Sequence, residues 1–190
     1  MPKLYIIAGC NGAGKTTASF TILPEILNCQ EFVNADEIAR GLSPFQPSKV
    51  AIESGKIMLS RIDELLNNKE DFAFETTLSS RSFVNYIRKA KDKGYETILL
   101  FFWLNSVEIA IERVKIRVLE GGHDIPKDVI SRRYERGLHN FFHLYLPKID
   151  NWMFINNSGS KYEEISQGSK DNIIIFEQDT WNKIVNEYGN

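Results

Sequence analysis

The stretch Gly9-Cys10-Asn11-Gly12-Ala13-Gly14-Lys15-Thr16 limits what this chain can fold into more than any other. It fits G-x-x-x-x-G-K-[ST], a phosphate-binding loop. An apolar run of strand length, Leu4-Tyr5-Ile6-Ile7-Ala8, precedes it, and Thr17-Ala18-Ser19-Phe20 can open a helix behind it. Glycines in such a loop let backbone N–H groups converge on phosphate oxygens, and the helix adds its free N–H groups and positive dipole end. Gly9, Asn11, Gly12, Ala13, Gly14 and Thr17 are therefore expected in the cradle. Lys15 is expected against the β- and γ-phosphates, and Thr16 is expected to offer its hydroxyl to Mg²⁺. The alternative, a glycine-rich turn without function, does not account for the flanking strand and helix. The expected cofactors are ATP or GTP, with Mg²⁺. The motif leaves open what is done with the nucleotide.

At 190 residues the chain suits one domain, 1–190, with a real core. A net charge of −2 gives no general pull toward nucleic acid or acidic membranes, so neither is an expected partner. Only Cys10 and Cys29 are present, too few for a disulfide framework. Cys10 reads as a small filler at a variable loop position. The N-terminus enters the first strand at once, without an apolar leader, and no run is long enough to span a bilayer. A cytoplasmic location is the expectation.

Strand-like runs alternate with helical patterns, which predicts an α/β fold with a largely parallel sheet. After the first strand come Glu31-Phe32-Val33-Asn34, Phe72-Ala73-Phe74-Glu75, Thr97 to Leu104 and Trp152-Met153-Phe154-Ile155. Ser48 is read as the cap of a long helix, Ser80 as the cap of the next, and Asn105-Ser106 as the start of a third. Pro126 restarts a helix that runs toward Pro147. A hairpin turning around Gly168 and a short closing helix from Thr180 are expected within 160–188.

Ligands of open α/β sheets bind at the carboxyl ends of the strands. That rule selects Asp36 and Glu75 beside the phosphate loop. A carboxylate there can orient an acceptor hydroxyl and take its proton. Asp36 can equally be the cap of Glu37-Ile38-Ala39-Arg40. Glu75 can support Mg²⁺ or bind an acceptor, and Thr76 and Thr77 offer hydroxyls to the same space. Arg113 and Arg117 lie one turn apart, and Arg132, Arg133 and Arg136 follow beyond Gly121-Gly122-His123-Asp124. Guanidinium groups suit the spread charge of a transferring phosphoryl group. Two such helices on a glycine joint predict a lid over roughly 113–137, with His123 as a further phosphate donor. A solvated helix face is the plainer account of the same arginines. His139 and His143 have metal-ligand spacing, but no third ligand is apparent, and ordinary helix histidines are favoured.

These landmarks, in order, resemble the zeta-toxin-like P-loop kinases, over most of residues 1–156. The matching elements are Gly9–Thr16, Val33-Asn34-Ala35-Asp36, Phe74-Glu75-Thr76-Thr77, and the stretch from Lys93-Gly94-Tyr95-Glu96-Thr97 through Ile111-Glu112-Arg113 to Gly121-Gly122-His123-Asp124-Ile125-Pro126 and Arg132-Arg133-Tyr134. The resemblance implies a P-loop kinase fold, a three-layer sandwich with a helical arginine-bearing lid. It implies Lys15 and Thr16 for nucleotide and Mg²⁺, Asp36 as base, Glu75 and Thr77 for the acceptor, and Arg113 for phosphate. It implies a small hydroxylated acceptor, with UDP-N-acetylglucosamine the family precedent, and an antitoxin protein as a partner. Two departures stand out. The toxins carry a second lid arginine near the position of His123, and the long C-terminal region of the longer toxins has no counterpart. A diphosphate on the acceptor would lie outward, toward Arg40 or Arg81. The competing class is a P-loop ATPase or GTPase acting as a switch or partner-binding module. Asp36, the arginines and the absence of an apolar strand ending in Asp favour the kinase.

Overall fold

β1 (Lys3–Ala8) lies in the middle of the sheet because it can be buried on both faces: Leu4 to Ala8 are each 2% exposed or less. The computed structural model describes residues 1–122 and 124–189. The other strands are β2 (Glu31–Val33), β3 (Phe72–Thr76), β4 (Glu96–Trp103), β5 (Asn151–Asn156), β6 (Glu163–Ser169) and β7 (Ile173–Ile175). Their order is β2-β3-β1-β4-β5-β6-β7; the first five pair in parallel, and β6 and β7 are each added by an antiparallel pairing. Among the described residues the helices are α1 (Lys15–Thr21), α2 (Ala35–Leu42), α3 (Ala51–Asn68), α4 (Phe83–Asp92), α5 (Val107–Leu119), α6 (Lys127–Asn140) and α7 (Gln178–Tyr188). Buried strands need cover on both faces, so the α/β architecture expected from the alternating pattern is the one observed.

The register brings the site together. β1 pairs with β3 so that Ile7 faces Glu75, and β2 pairs with β3 so that Val33 faces Phe74. The phosphate loop, Asn34 and Glu75 therefore leave the sheet side by side. Phe101, Phe141 and Phe154 pack with ring centroids 5.0–5.2 Å apart, and Trp181 of α7 stacks on Trp152 at 5.5 Å. No helix among the described residues is long and apolar enough to cross a membrane.

Three local expectations are corrected. Ser48 does not cap α3, because Pro47 opens a 3₁₀ turn, Pro47–Val50, that leads into it. Ser80 lies before the start of α4, and its Oγ accepts from Ser82 N at 3.1 Å. Gly168 is inside β6 rather than at the hairpin turn. A Cβ there would lie 2.8 Å from the Trp152 ring, so the glycine makes room for the indole.

Candidate active site

The phosphate loop is pinned from outside. Gly9 has φ 140, and a Cβ on it would run into the Phe102 carbonyl oxygen; at Gly12, φ 80, one would lie 2.7 Å from Ala110 O. Only glycine tolerates both the backbone and the approach. Inside the loop, Ala13 N donates to Cys10 O at 3.2 Å, and Lys15 Nζ donates to the same oxygen at 2.9 Å. Lys15 also lies 3.4 Å from a Glu75 oxygen and is 5% exposed. The Cys10 thiol is buried, and burial pushes its pKa up to about 11, so it stays protonated and inert at neutral pH.

Asn34, not Asp36, caps α2. Its Oδ1 accepts from Asp36 N at 2.8 Å and Glu37 N at 3.3 Å. Its Nδ2 donates to Glu75 Oε2 at 2.8 Å, and Thr16 Oγ1 donates to that same oxygen at 2.7 Å. One amide thus starts the helix and ties it to the strand-end acid. The Asp36 carboxylate is left free of the capping role. The Thr16 hydroxyl and Glu75 carboxylate are hard oxygen donors beside the phosphate loop. This fits Mg²⁺, which takes one or two protein oxygens and fills the rest with phosphate and water.

Two clefts meet at this point. The smaller, about 320 Å³, is lined by Asn11, Lys15, Thr16, Glu75, Arg113 and neighbours. The larger, about 640 Å³, lies between α2, the 43–49 loop and the α5–α6 connection. Asp36 and Arg117 line both. Glu75 lines only the smaller of the two, on the phosphate side.

The arginines divide by orientation. Arg113 directs both terminal guanidinium nitrogens at backbone, Nη1 to Asn157 O at 2.7 Å and Nη2 to Ser158 O at 3.1 Å. Asn157 Nδ2 in turn donates to Ala13 O at 2.8 Å, so Arg113 braces the loop that props the cradle. Arg133, half-buried, donates to Asn11 Oδ1 at 3.0 Å. Burial lowers its pKa, and the negative charge of Asp36 opposes that. Arg132 and Arg136 are exposed. Sequence spacing singled out the cluster but not Arg133, because the rotation of α6 decides which arginine faces the loop. Asn34 was also missed as a link, although an asparagine ahead of a helix start is itself a capping signal.

Thr76 is buried and its hydroxyl accepts from Leu78 N at 3.1 Å, while Thr77 Oγ1 bonds Ser79 Oγ at 2.8 Å. These hydroxyls shape the β3–α4 turn, and neither residue lines the two clefts. His123 lies outside the described residues. The His139 and His143 rings lie 4.3 Å apart, tilted by 37°, with His143 Nε2 against Tyr188 O. The stretch 113–137, expected as a lid, contains buried core residues. Ala110 and Val114 of α5 and Ile130, Tyr134 and Leu138 of α6 are core residues. Asn140 and Tyr145 bond Leu78 O and Ser80 O, each at 2.6 Å.

The family model described as Zeta toxin matches residues 1–161. An uncharacterised protein of Haemophilus influenzae is 30% identical over 132 residues, covering 70% of this chain and 92% of that protein. Among solved structures, AvrRxo1-ORF1:-ORF2 with ATP superposes with a TM-score of 0.77 at 18% identity, over 97% of this chain and 63% of that one. This chain therefore spans less than two thirds of that neighbour. The PezAT chromosomal toxin–antitoxin system of Streptococcus pneumoniae gives a TM-score of 0.68 at 16% identity, over 99% of this chain and 78% of that one. A gluconokinase from Sinorhizobium meliloti gives 0.52 at 15% identity, with 83% of each chain covered. At these identities the structural likeness is one of fold.

Proposed function

The chain belongs to the zeta-toxin family of P-loop kinases, and from that premise we propose that it transfers the γ-phosphate of ATP to a hydroxyl of a small acceptor seated in the larger cleft. The observation that carries this reading is the position of Asp36, on the wall shared by the two clefts. A carboxylate at that boundary can take the acceptor's hydroxyl proton while the hydroxyl oxygen meets the γ-phosphorus. The bond from that phosphorus to the β–γ bridging oxygen then breaks, and ADP leaves.

The chain's other residues support the reading. Lys15 would move from Cys10 O and Glu75 onto the β- and γ-phosphate oxygens. Thr16 and Glu75, held by Asn34, would carry Mg²⁺, which when bound neutralises charge on those phosphates. Arg133 would turn from Asn11 toward the transferring group, and Arg117 lines both clefts for the same use. Arg113 would act by bracing the cradle from behind. We propose UDP-N-acetylglucosamine as the first acceptor to test and an antitoxin protein as regulator. The latter is in keeping with family membership and with a neighbour drawn from a toxin–antitoxin system.

The test is γ-labelled ATP with Mg²⁺ and a panel of hydroxylated acceptors, scored for label on acceptor against label released to water. Transfer that depends on the acceptor and on Asp36 is expected. Release to water at one rate whatever acceptor is supplied would replace the kinase with an ATPase.

A further inference from the structure

Three backbone carbonyls of the turn after β3 face α6 and the wide helical turn that continues it, Phe141–Tyr145. Asn140 Nδ2 donates to Leu78 O and Tyr145 Oη to Ser80 O, each at 2.6 Å. Thr77 O lies so close to Gly137 that a Cβ there would stand 2.7 Å from it. Leu78, in the middle of the turn, has φ 54 and a fully buried side chain. Leucine seldom adopts that left-handed conformation, and a turn that keeps it is held by its surroundings. Asn140 and Tyr145 are themselves buried, and neither is among the described residues that line the two clefts. Their role is not contact with a ligand.

Arg133, Gly137 and Asn140 stand at i, i+4 and i+7 and so share one face of α6. At 1.5 Å per residue, Arg133 is about 6 Å from Gly137 and about 10 Å from Asn140 along the axis. The neighbouring face packs Ile130, Tyr134 and Leu138 into the core. Apolar burial is non-directional and sets the rotation of a helix better than its position along the axis. Directional bonds set the latter. Tyr134 Oη supplies one to Leu104 O at 2.7 Å, and Asn140 and Tyr145 supply the two at the β3–α4 turn. A glycine inside a helix weakens it relative to alanine. Gly137 is the residue that lets α6 come down onto the Thr77 carbonyl.

Resting on the reading of Arg133 as a donor to the transferring phosphoryl group, we propose that the β3–α4 turn is the stop against which α6 is set. Gly137, Asn140 and Tyr145 are then positioning residues that act through Arg133. The turn starts two residues after Glu75, so the same contacts fix Arg133 relative to the Glu75 side of the phosphate loop.

The test follows turnover of γ-labelled ATP well below Tm, with label on acceptor and label in water summed. Tyr145→Phe keeps the buried ring and removes only the hydroxyl, so the fold is retained. It is expected to lower kcat by about tenfold with the KM for ATP within about twofold, the effect of a misplaced catalytic group. Gly137→Ala should do the same, although alanine favours the helix. In an Arg133→Ala background Tyr145→Phe should cost less than about twofold further, because the group it acts through is gone. Tyr95→Phe is the control. Its hydroxyl also bonds buried backbone, Leu65 O at 3.0 Å and Glu70 O at 2.9 Å, away from the site. It should lower Tm and leave kcat within about twofold. Arginine side-chain NMR gives a reading that needs no turnover. The Arg133 Nε–H signal, assigned by its loss in Arg133→Lys, should shift or broaden in Tyr145→Phe and stay in place in Tyr95→Phe. An unmoved Arg133 signal, equal kcat losses in the two tyrosine variants, or losses that multiply with Arg133→Ala overturn the proposal. The kinase reading fails separately: all label in water, with the Arg133 signal moving as expected, removes the kinase and keeps the stop.

Discussion

Asn34, rather than Asp36, carries the cap of α2 and leaves the Asp36 carboxylate out of it. A capping aspartate would spend its carboxylate on backbone N–H groups; here the asparagine amide takes that part at 2.8 and 3.3 Å. Asp36→Asn should therefore leave ATP affinity within about twofold while cutting transfer by roughly 10²-fold or more, the scale of general-base catalysis. Single-turnover transfer and ATP binding, measured side by side, decide it, and equal losses in both would return Asp36 to a structural role. Arg133 makes a parallel case. Its guanidinium is half-buried against Asn11 and feels the charge of Asp36. Arg133→Ala should lower kcat by about 10²-fold, as for loss of a donor to developing charge, with the KM for ATP changed far less. Arg132→Ala, one position away and exposed, is the control. If the two variants lose activity alike, the orientation of α6 is irrelevant to transfer.

At the scale of elements, the β4–β5 seam depends on an acid outside the active site. Asp150 accepts from Thr97 N at 2.9 Å, Thr97 Oγ1 at 2.8 Å and Lys91 Nζ at 2.8 Å. Burial alone would raise its pKa, but these donors together hold it below the ordinary value of 3.8. A depressed folded-state pKa means stability that is complete above the unfolded value and lost as pH falls through the folded one. Asp150→Asn should lower Tm at pH 7, and the gap to wild type should close below about pH 4. A gap that stays constant in thermal melts from pH 7 to pH 3 would rule out this linkage. Element boundaries were legible to the extent that their cause is local. The alternation of strand and helix follows from periodicity in neighbouring residues. The role of Gly168 does not, since the Trp152 ring that demands the glycine comes from a different strand.

For the whole molecule, the question is what closes over nucleotide. α5 and α6 are both docked through core residues, so the unit 113–137 cannot swing without exposing Val114, Ile130 and Tyr134. Closure is expected at the connection that lines the larger cleft with Gly121, Gly122 and Asp124. Peptides carrying those residues should exchange amide hydrogens more slowly with ATP and Mg²⁺ bound, while those from Ile130 to Asn140 should not change. Protection spread evenly along α6, or none at the connection, would contradict this division.

By itself the sequence determined the parts whose causes are contiguous. A glycine-lysine-threonine run between a strand and a helix dictates its own backbone and hence its taste for phosphate. The places of Asp36, just after β2, and of Glu75, near the end of β3, follow from the order of the elements. Only the tertiary structure decided which arginine faces the loop and that Asn34 is the cap bonded to Glu75. It alone showed that the 43–49 loop builds a second cleft wall. Those choices rest on contacts between distant positions: Arg133 reaches Asn11 across 122 residues, and Asn157 reaches Ala13 across 144. A helix can present any of several arginines to a neighbour it has not yet met, and only packing the buried stripe of Ile130, Tyr134 and Leu138 onto the sheet sets its rotation and aims Arg133 inward.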